Sequence, residues 1–270
     1  MSVPLIPIDA YTISIPGAVI VIMLAYAIYL WEVGDRIRAK YQFMNVINVF
    51  IMILVVGFLF MMTNYIISRI FGIASTVQES WNMLNKASEI FDQIYRKCID
   101  WILYIAKSRA VVALIPYVSP LSDVLGDATM WETWCFSFAS TIFLTLKWFA
   151  IILTFVQPWL LTFGVALTIS DKLRVIGGGL LAILLVMGPA ITGLSQYMYT
   201  SIMHDNNFMD VPAATQLAAD PLNIAARADP AANLAIQASI FSIVIVGISS
   251  LLTAGISSVL GSVIVMIRPI

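Results

Sequence analysis

Residues Pro158–Pro189 read PWLLTFGVALTI, then SDKLR, then VIGGGLLAILLVMGP. The first part is an apolar arm and the second a polar elbow carrying Asp171, Lys172 and Arg174. The third opens an apolar span that continues to Met203. A helix needs about 20 residues to cross a bilayer, so the arm alone is too short. It can lie in the interface, dip in and return, or extend the preceding apolar run Trp134–Gln157. Pro158 speaks against extension, because proline removes a backbone donor and tends to kink or end a helix. The expectation is a short re-entrant or interfacial arm.

Working outward, the whole chain has the same character. Hydrophobic residues make up 61% of its 270 residues and charged residues 11%, where soluble domains hold about 25% charged residues. Such a balance describes a polytopic membrane protein rather than a soluble domain with an anchor. The expected fold is all-α, with about five transmembrane helices, a long extracytoplasmic amphipathic helix and the arm. The start of the chain has no Lys or Arg before Arg36, hence no basic n-region, and is read as part of the mature protein. Two cysteines, Cys98 and Cys135, are too few for a disulfide framework or a metal cluster. They are either a pair or two buried thiols acting as small apolar side chains.

Five segments follow. Residues 1–69 hold a pair of transmembrane helices, Pro16–Trp31 and Val46–Ile67, around a basic loop with Arg36, Arg38 and Lys40. Residues 70–130 form an extracytoplasmic amphipathic helix and loop. In that segment Val77, Trp81, Leu84, Phe91, Tyr95, Cys98, Ile102 and Ile105 recur at alternating steps of four and three, with Ser88 filling one slot. This is a heptad seam, and it predicts a helix from Ile73 to Lys107. The other face is charged, and Asp92 and Arg96 are spaced to pair. Ala110–Met130 reads as irregular, with Pro116, Pro120 and Gly126. Residues 131–203 form the central membrane core with the arm and elbow. Residues 204–233 read as an acidic extracytoplasmic loop, with Asp205, Asp210, Asp220 and Asp229 against Arg227. Residues 234–270 supply the C-terminal transmembrane helix.

Lys147 lies near the middle of Trp134–Gln157. A lysine at that depth costs about 2.5–3.5 kcal/mol on insertion scales. Its stem either snorkels or its ammonium meets a wet cavity or a polar partner. Ser250, Ala254, Ser258 and Ser262 form a small-residue stripe at steps of four, suited to helix packing between subunits or within one. Basic short loops stay in the cytoplasm. The loop Arg36–Lys40, the elbow and Arg268 therefore go inside, and the acidic loop goes outside. The N-terminus is then outside and the C-terminus cytoplasmic.

No P-loop, dinucleotide fingerprint or HExxH is present in the sequence. His204 stands alone beside Asp205 and reads as a solvated boundary residue. Neither an enzyme nor a metal or cofactor site is expected.

The arm Pro158–Ile169, the elbow Asp171–Arg174 and the glycine-rich span Val175–Pro189, set behind a span pair and a long amphipathic segment, resemble the TrbL-type polytopic channel subunits of type IV secretion systems. The archaeal DNA-import protein CedA belongs to the same likeness. The resemblance implies a subunit of a DNA-translocation channel of the import or conjugation type. It would work as a homo-oligomer in the cell membrane with a hexameric ATPase and a small pilin-like membrane protein. Lysine and arginine can follow a phosphate backbone without reading bases. The DNA-contact candidates are Lys86, Arg96, Lys97, Lys107 and Arg109, against the alternative of a solvated face balanced by Glu79, Glu89, Asp92 and Asp100. Two other functions compete with this one: a non-conducting scaffold for a pilus or secretion assembly, and a small-solute transporter using Lys147.

Overall fold

The computed structural model describes residues 10–47, 50–51, 58, 83–114, 117, 119–169, 173–212 and 223–266. Among them the regular structure is all helical. The helices are α1 (Ala10–Glu32), α2 (Leu84–Ala113), α3 (Leu121–Ala128), α4 (Met130–Ile169), α5 (Arg174–Ser201), α6 (Asn206–Met209) and α7 (Ile224–Met266). A further helical stretch, 36–47, follows α1. Among the described residues three stretches are long and apolar enough to cross a membrane: Met130–Gln157, Val175–Ser201 and Ile224–Leu260. Of the remaining two expected spans, the first falls on α1, where Ile20–Glu32 is a shorter apolar helix. The second, Val46–Ile67, lies largely outside the described residues.

Three sequence readings change. The arm Pro158–Ile169 does not turn back on itself as a re-entrant segment would: it is the last part of α4, which runs unbroken through Pro158. A proline in a helix interior costs about 3 kcal/mol. Apolar burial on both sides, at Leu153 and Leu160, offsets that cost. Ala110–Met130 is more regular than its prolines suggest, since α2 reaches Ala113 and α3 follows. The acidic loop is shorter than read, because α7 already begins at Ile224. Its sequence AARADPAANLAIQA is rich in alanine, the strongest helix former, and that outweighs the single Pro230. Residues 73–82, where the amphipathic helix was expected to start, lie outside the described residues.

The chain packs as two units. The first is built from Met1–Met83, Ile152–Gly193 and Gly247–Ile270, and the second from Leu84–Ile151 and Leu194–Val246. Each of α4, α5 and α7 therefore contributes one part to each unit.

In the first unit α1 ends on Gly34, whose φ of +90° suits glycine. The amide of Gly34 bonds the Trp31 carbonyl and that of Asp35 bonds the Leu30 carbonyl, which closes the helix in a Schellman motif. The Asp35 carboxylate then accepts from the Arg38 amide and caps the next helical stretch. From Gly177 to Gly193 every residue of α5 is buried or half-buried, so this is the unit's central helix. Close approach requires small residues there. A Cβ on Gly164 would lie 2.9 Å from the Leu181 side chain, and one on Gly179 would lie 3.4 Å from Ser257 Oγ.

In the second unit α2 packs antiparallel on the first half of α4. Phe91 stacks on Phe143 with ring centroids 6.3 Å apart, and Trp101 lies flat on Phe136 at 5.7 Å. The buried seam of α2 is Leu84, Ala87, Phe91, Ile94, Cys98, Trp101, Ile105, Ser108 and Val112, flanked by Ile90 and Tyr104. The expected seam shares Leu84, Phe91, Cys98 and Ile105 with it, but the intermediate positions shift back by one residue. In the same unit Ala228, Ala231, Ala232, Ala235, Ser239 and Ser242 of α7 are all buried. Side chains this small let helices approach closely.

Candidate functional site

The charged residues that the sequence singled out gather in the second unit. Lys147 Nζ donates to Asp92 Oδ1 at 2.9 Å, and Arg96 Nε donates to Asp92 Oδ2 at 2.8 Å. The Lys147 and Asp92 side chains are 25% and 20% exposed, whereas that of Arg96 is 72% exposed. The hydrogen bond from Lys147 holds the Asp92 carboxyl below the usual carboxylate range, against the opposing effect of burial. A lysine in an apolar run thus meets a carboxylate from another helix. The three groups together keep one net positive charge, displayed by Arg96.

Five and nine residues further along α2 than Asp92, two more polar contacts close the unit. Lys97 Nζ donates to the Met209 carbonyl at 3.0 Å, and Trp101 Nε1 donates to the Phe208 carbonyl at 2.9 Å. These carbonyls belong to the end of α6 and would otherwise lack helical partners. Asp205 caps the start of α6 by accepting from the Asn207 amide at 2.8 Å. Phe208 is fully buried. The loop after α5 is therefore clasped to α2 by one ammonium and one indole.

The remaining candidates separate. Arg109 lies against Gly126 of α3, where a Cβ would collide with its guanidinium. Lys86 and Lys107 are exposed. Of the five DNA-contact candidates, Arg96 is in the Asp92 clamp, Lys97 is in the clasp and Arg109 packs on α3. Along the exposed face of α2 run Lys86, Glu89, Gln93, Arg96, Asp100, Leu103 and Lys107, so basic and acidic residues alternate. Ser250, Ala254 and Ser258 are exposed on α7, and Ser258 Oγ donates to the Gly255 carbonyl at 2.7 Å. The Ser262 side chain lies outside the described residues.

Cys98 and Cys135 are both free and buried. Desolvation pushes the Cys98 thiol up to about 12. His204 Nδ1 sits 3.0 Å from the Tyr199 carbonyl, and its ring stands edge-on to Tyr199. Among the described residues no group of three metal-ligating side chains forms.

Sequence reasoning missed three features: Asp92 as the partner of Lys147, the Trp101–Phe208 clasp, and Glu132. The last is 6% exposed, and its Oε2 has no hydrogen-bond partner among the described residues. The acid at Asp92 was legible, but its pairing with a lysine 55 positions away was not. Nothing local distinguishes it from Glu89 or Asp100.

Comparison with protein-family models, with curated proteins and with solved structures finds no match for this chain.

Proposed function

We propose that the protein is an integral membrane subunit of a DNA-translocation channel of the import or conjugation type, with its N-terminus outside the cell and its C-terminus in the cytoplasm. The reading rests on the likeness of the arm, elbow and glycine-rich span to TrbL-type subunits. One observation supports it in the geometry. Lys86, Arg96 and Lys107 recur at steps of ten and eleven residues on the exposed face of α2. At about 3.6 residues per turn Arg96 and Lys107 fall nearly in line, and Lys86 lies about a quarter-turn aside on the same exposed side. Asp92, which could cancel Arg96, is already neutralised by Lys147. A row of this kind suits transient contact with a phosphate backbone. In this function the subunit assembles with further copies of itself, a hexameric ATPase and a small pilin-like membrane protein.

A second reading, a non-conducting scaffold, has its own support. Glu89 and Asp100 alternate with the cations along the same face, and an alternating face suits a protein partner better than a polyanion.

Crosslinking DNA in living cells during transfer, followed by purification of this protein, tests the two. The channel reading expects a strand recovered only while energy is supplied. It also expects recovery to fall when Lys86, Arg96 and Lys107 are together replaced by Gln in a protein that still inserts. Recovery unchanged by that triple replacement removes α2 as the contact surface. Absence of any strand, with ATPase or pilin-like subunits co-purifying, makes the protein a scaffold.

A further inference from the structure

Hydropathy alone assigns Met130–Gln157 as the crossing part of α4. Packing within the second unit argues for a different register. Phe91 and Trp101 of α2 stack on Phe143 and Phe136, and Asp92 reaches Lys147. These three contacts run in opposite chain directions, so α2 lies alongside residues 136–147 of α4 over its whole middle. The face of α2 turned away from α4 exposes Lys86, Glu89, Arg96 and Asp100. Whatever surrounds residues 136–147 also surrounds Glu89, Arg96 and Asp100, and exposed charges are not stable against acyl chains. Hydrocarbon cannot occupy that level.

The exposed surface of α4 changes where this argument demands it. Between Cys135 and Lys147 the exposed residues are Ser137, Thr141 and Thr145, although Met130, Trp131 and Trp134 at the start of the helix are exposed too. From Trp148 onward they are Trp148, Ile152, Phe155, Val156, Trp159 and Phe163. The last helix repeats the change. Arg227, Asp229 and Gln237 are exposed in its first part and Ile248, Leu251 and Leu252 in its last, with Ile240, Ile243 and Val244 exposed between them, around the level of Phe241. Tyr197 of α5 meets Phe241 of α7 with ring centroids 4.6 Å apart. The aromatic pair marks one level on both helices, and a tyrosine at such a level suits the membrane–water interface.

We infer that the bilayer takes the far parts of the three long helices, Ile152–Ile169, Val175–Gly193 and Gly247–Met266, and that Leu84–Ile151 and Leu194–Val246 form a helical domain in water. None of the three crossing segments contains a charged residue. Their lengths, about 27 to 30 Å at 1.5 Å per residue, match a hydrocarbon core of about 30 Å. The partner of the apolar face Ile152–Phe163 is lipid acyl chain. Trp148 and Lys147 then sit at headgroup level, with the lysine neutralised by Asp92 on its aqueous side. The inference stands on α2, α4, α5 and α7 and is independent of whether DNA is the cargo.

Site-directed spin labelling of the full chain in nanodiscs tests it. Single cysteines replace the exposed Ser137, Thr141, Thr145, Ile152, Phe155 and Phe163, with the parent chain, whose own thiols are buried, as the blank. Collision rates are read with molecular oxygen, which concentrates in lipid, and with a water-soluble nickel chelate. The expected result is nickel contact at positions 137, 141 and 145 and oxygen contact at 152, 155 and 163. Oxygen contact at 141 and 145, with nickel contact at 163, would restore the hydropathy register and overturn the inference. Contact with neither reagent at 141 and 145 overturns it too, since that face would then be covered by protein rather than water. Replacing Thr141 or Ile152 with Lys gives a second readout: membrane-assembled protein is retained with Thr141→Lys and lost with Ile152→Lys, and the reverse pattern refutes the assignment.

Discussion

Asp92 divides its two carboxylate oxygens between Lys147 and Arg96, and the division sets how the protein responds to acid. A carboxylate whose folded pKa is depressed stabilises the fold above its unfolded pKa, and that stabilisation is lost as pH falls through the folded value. The reference value for Asp92 is 3.8, and its folded value lies lower. Its contribution is therefore complete at neutral pH and disappears on going below about pH 4. With both partners only a quarter exposed or less, the pair should contribute more than a surface bridge, about 0–1 kcal/mol, and less than a fully buried one, about 3–5 kcal/mol. Asp92→Asn should lower stability at pH 7 by about 1–2 kcal/mol and flatten the loss between pH 5 and pH 3. Thermal unfolding in nanodiscs across that range checks both. An Asp92→Asn protein with the parent's acid profile would show that the bridge does not form. The sequence made Lys147 conspicuous, because a charge in an apolar run always is. It left Asp92 inconspicuous, because a carboxylate on a charged helix face is ordinary.

At the scale of elements, periodicity revealed α2 as an amphipathic helix but not the phase of its seam. Leu84, Phe91, Cys98 and Ile105 are common to both readings. Between them the sequence offers an apolar residue at two adjacent positions, Ile94 or Tyr95 and Trp101 or Ile102. Local spacing cannot choose between them. The choice is made by distant groups: Phe136 provides a flat surface for Trp101, and the Phe208 carbonyl accepts its indole proton. The arm at Pro158 failed for a related reason. The local cost of a helix breaker is visible in the sequence, while the burial that outweighs it lies on both sides, at Leu153 and Leu160. Glycines provide a test of element packing. Gly164→Ala would bring a Cβ within 2.9 Å of Leu181, itself fully buried and unable to swing away. Overpacking of this kind costs about 1–3 kcal/mol. Gly247→Ala on α7 meets nothing within 4 Å and should instead stabilise by up to about 1 kcal/mol through helix propensity. Opposite shifts in unfolding temperature are expected, and shifts of the same sign would contradict the close approach of α4 to α5.

For the molecule as a whole, composition was enough to recognise a membrane protein, and the three long apolar helices agree with it. The division into two units was not legible. Hydropathy scores each helix as if it stood alone, so it extends the apolar run of α4 back to Met130. Only the charged helix packed beside it contradicts that. Two units with different solvents should also unfold differently, since a multi-unit chain need not melt in a single step. The second unit is held by the Asp92 clamp, the Trp101 clasp and an alanine-lined core; the first is held by glycine-mediated contacts around α5. Urea exposes surface that water can reach, so in nanodiscs the second unit should open at lower denaturant while the first stays in lipid. Asp92→Asn should move only the early transition, and Gly164→Ala only the late one. Because α4, α5 and α7 run through both units, strong coupling along those helices is the competing outcome. It would appear as one transition that both substitutions shift alike.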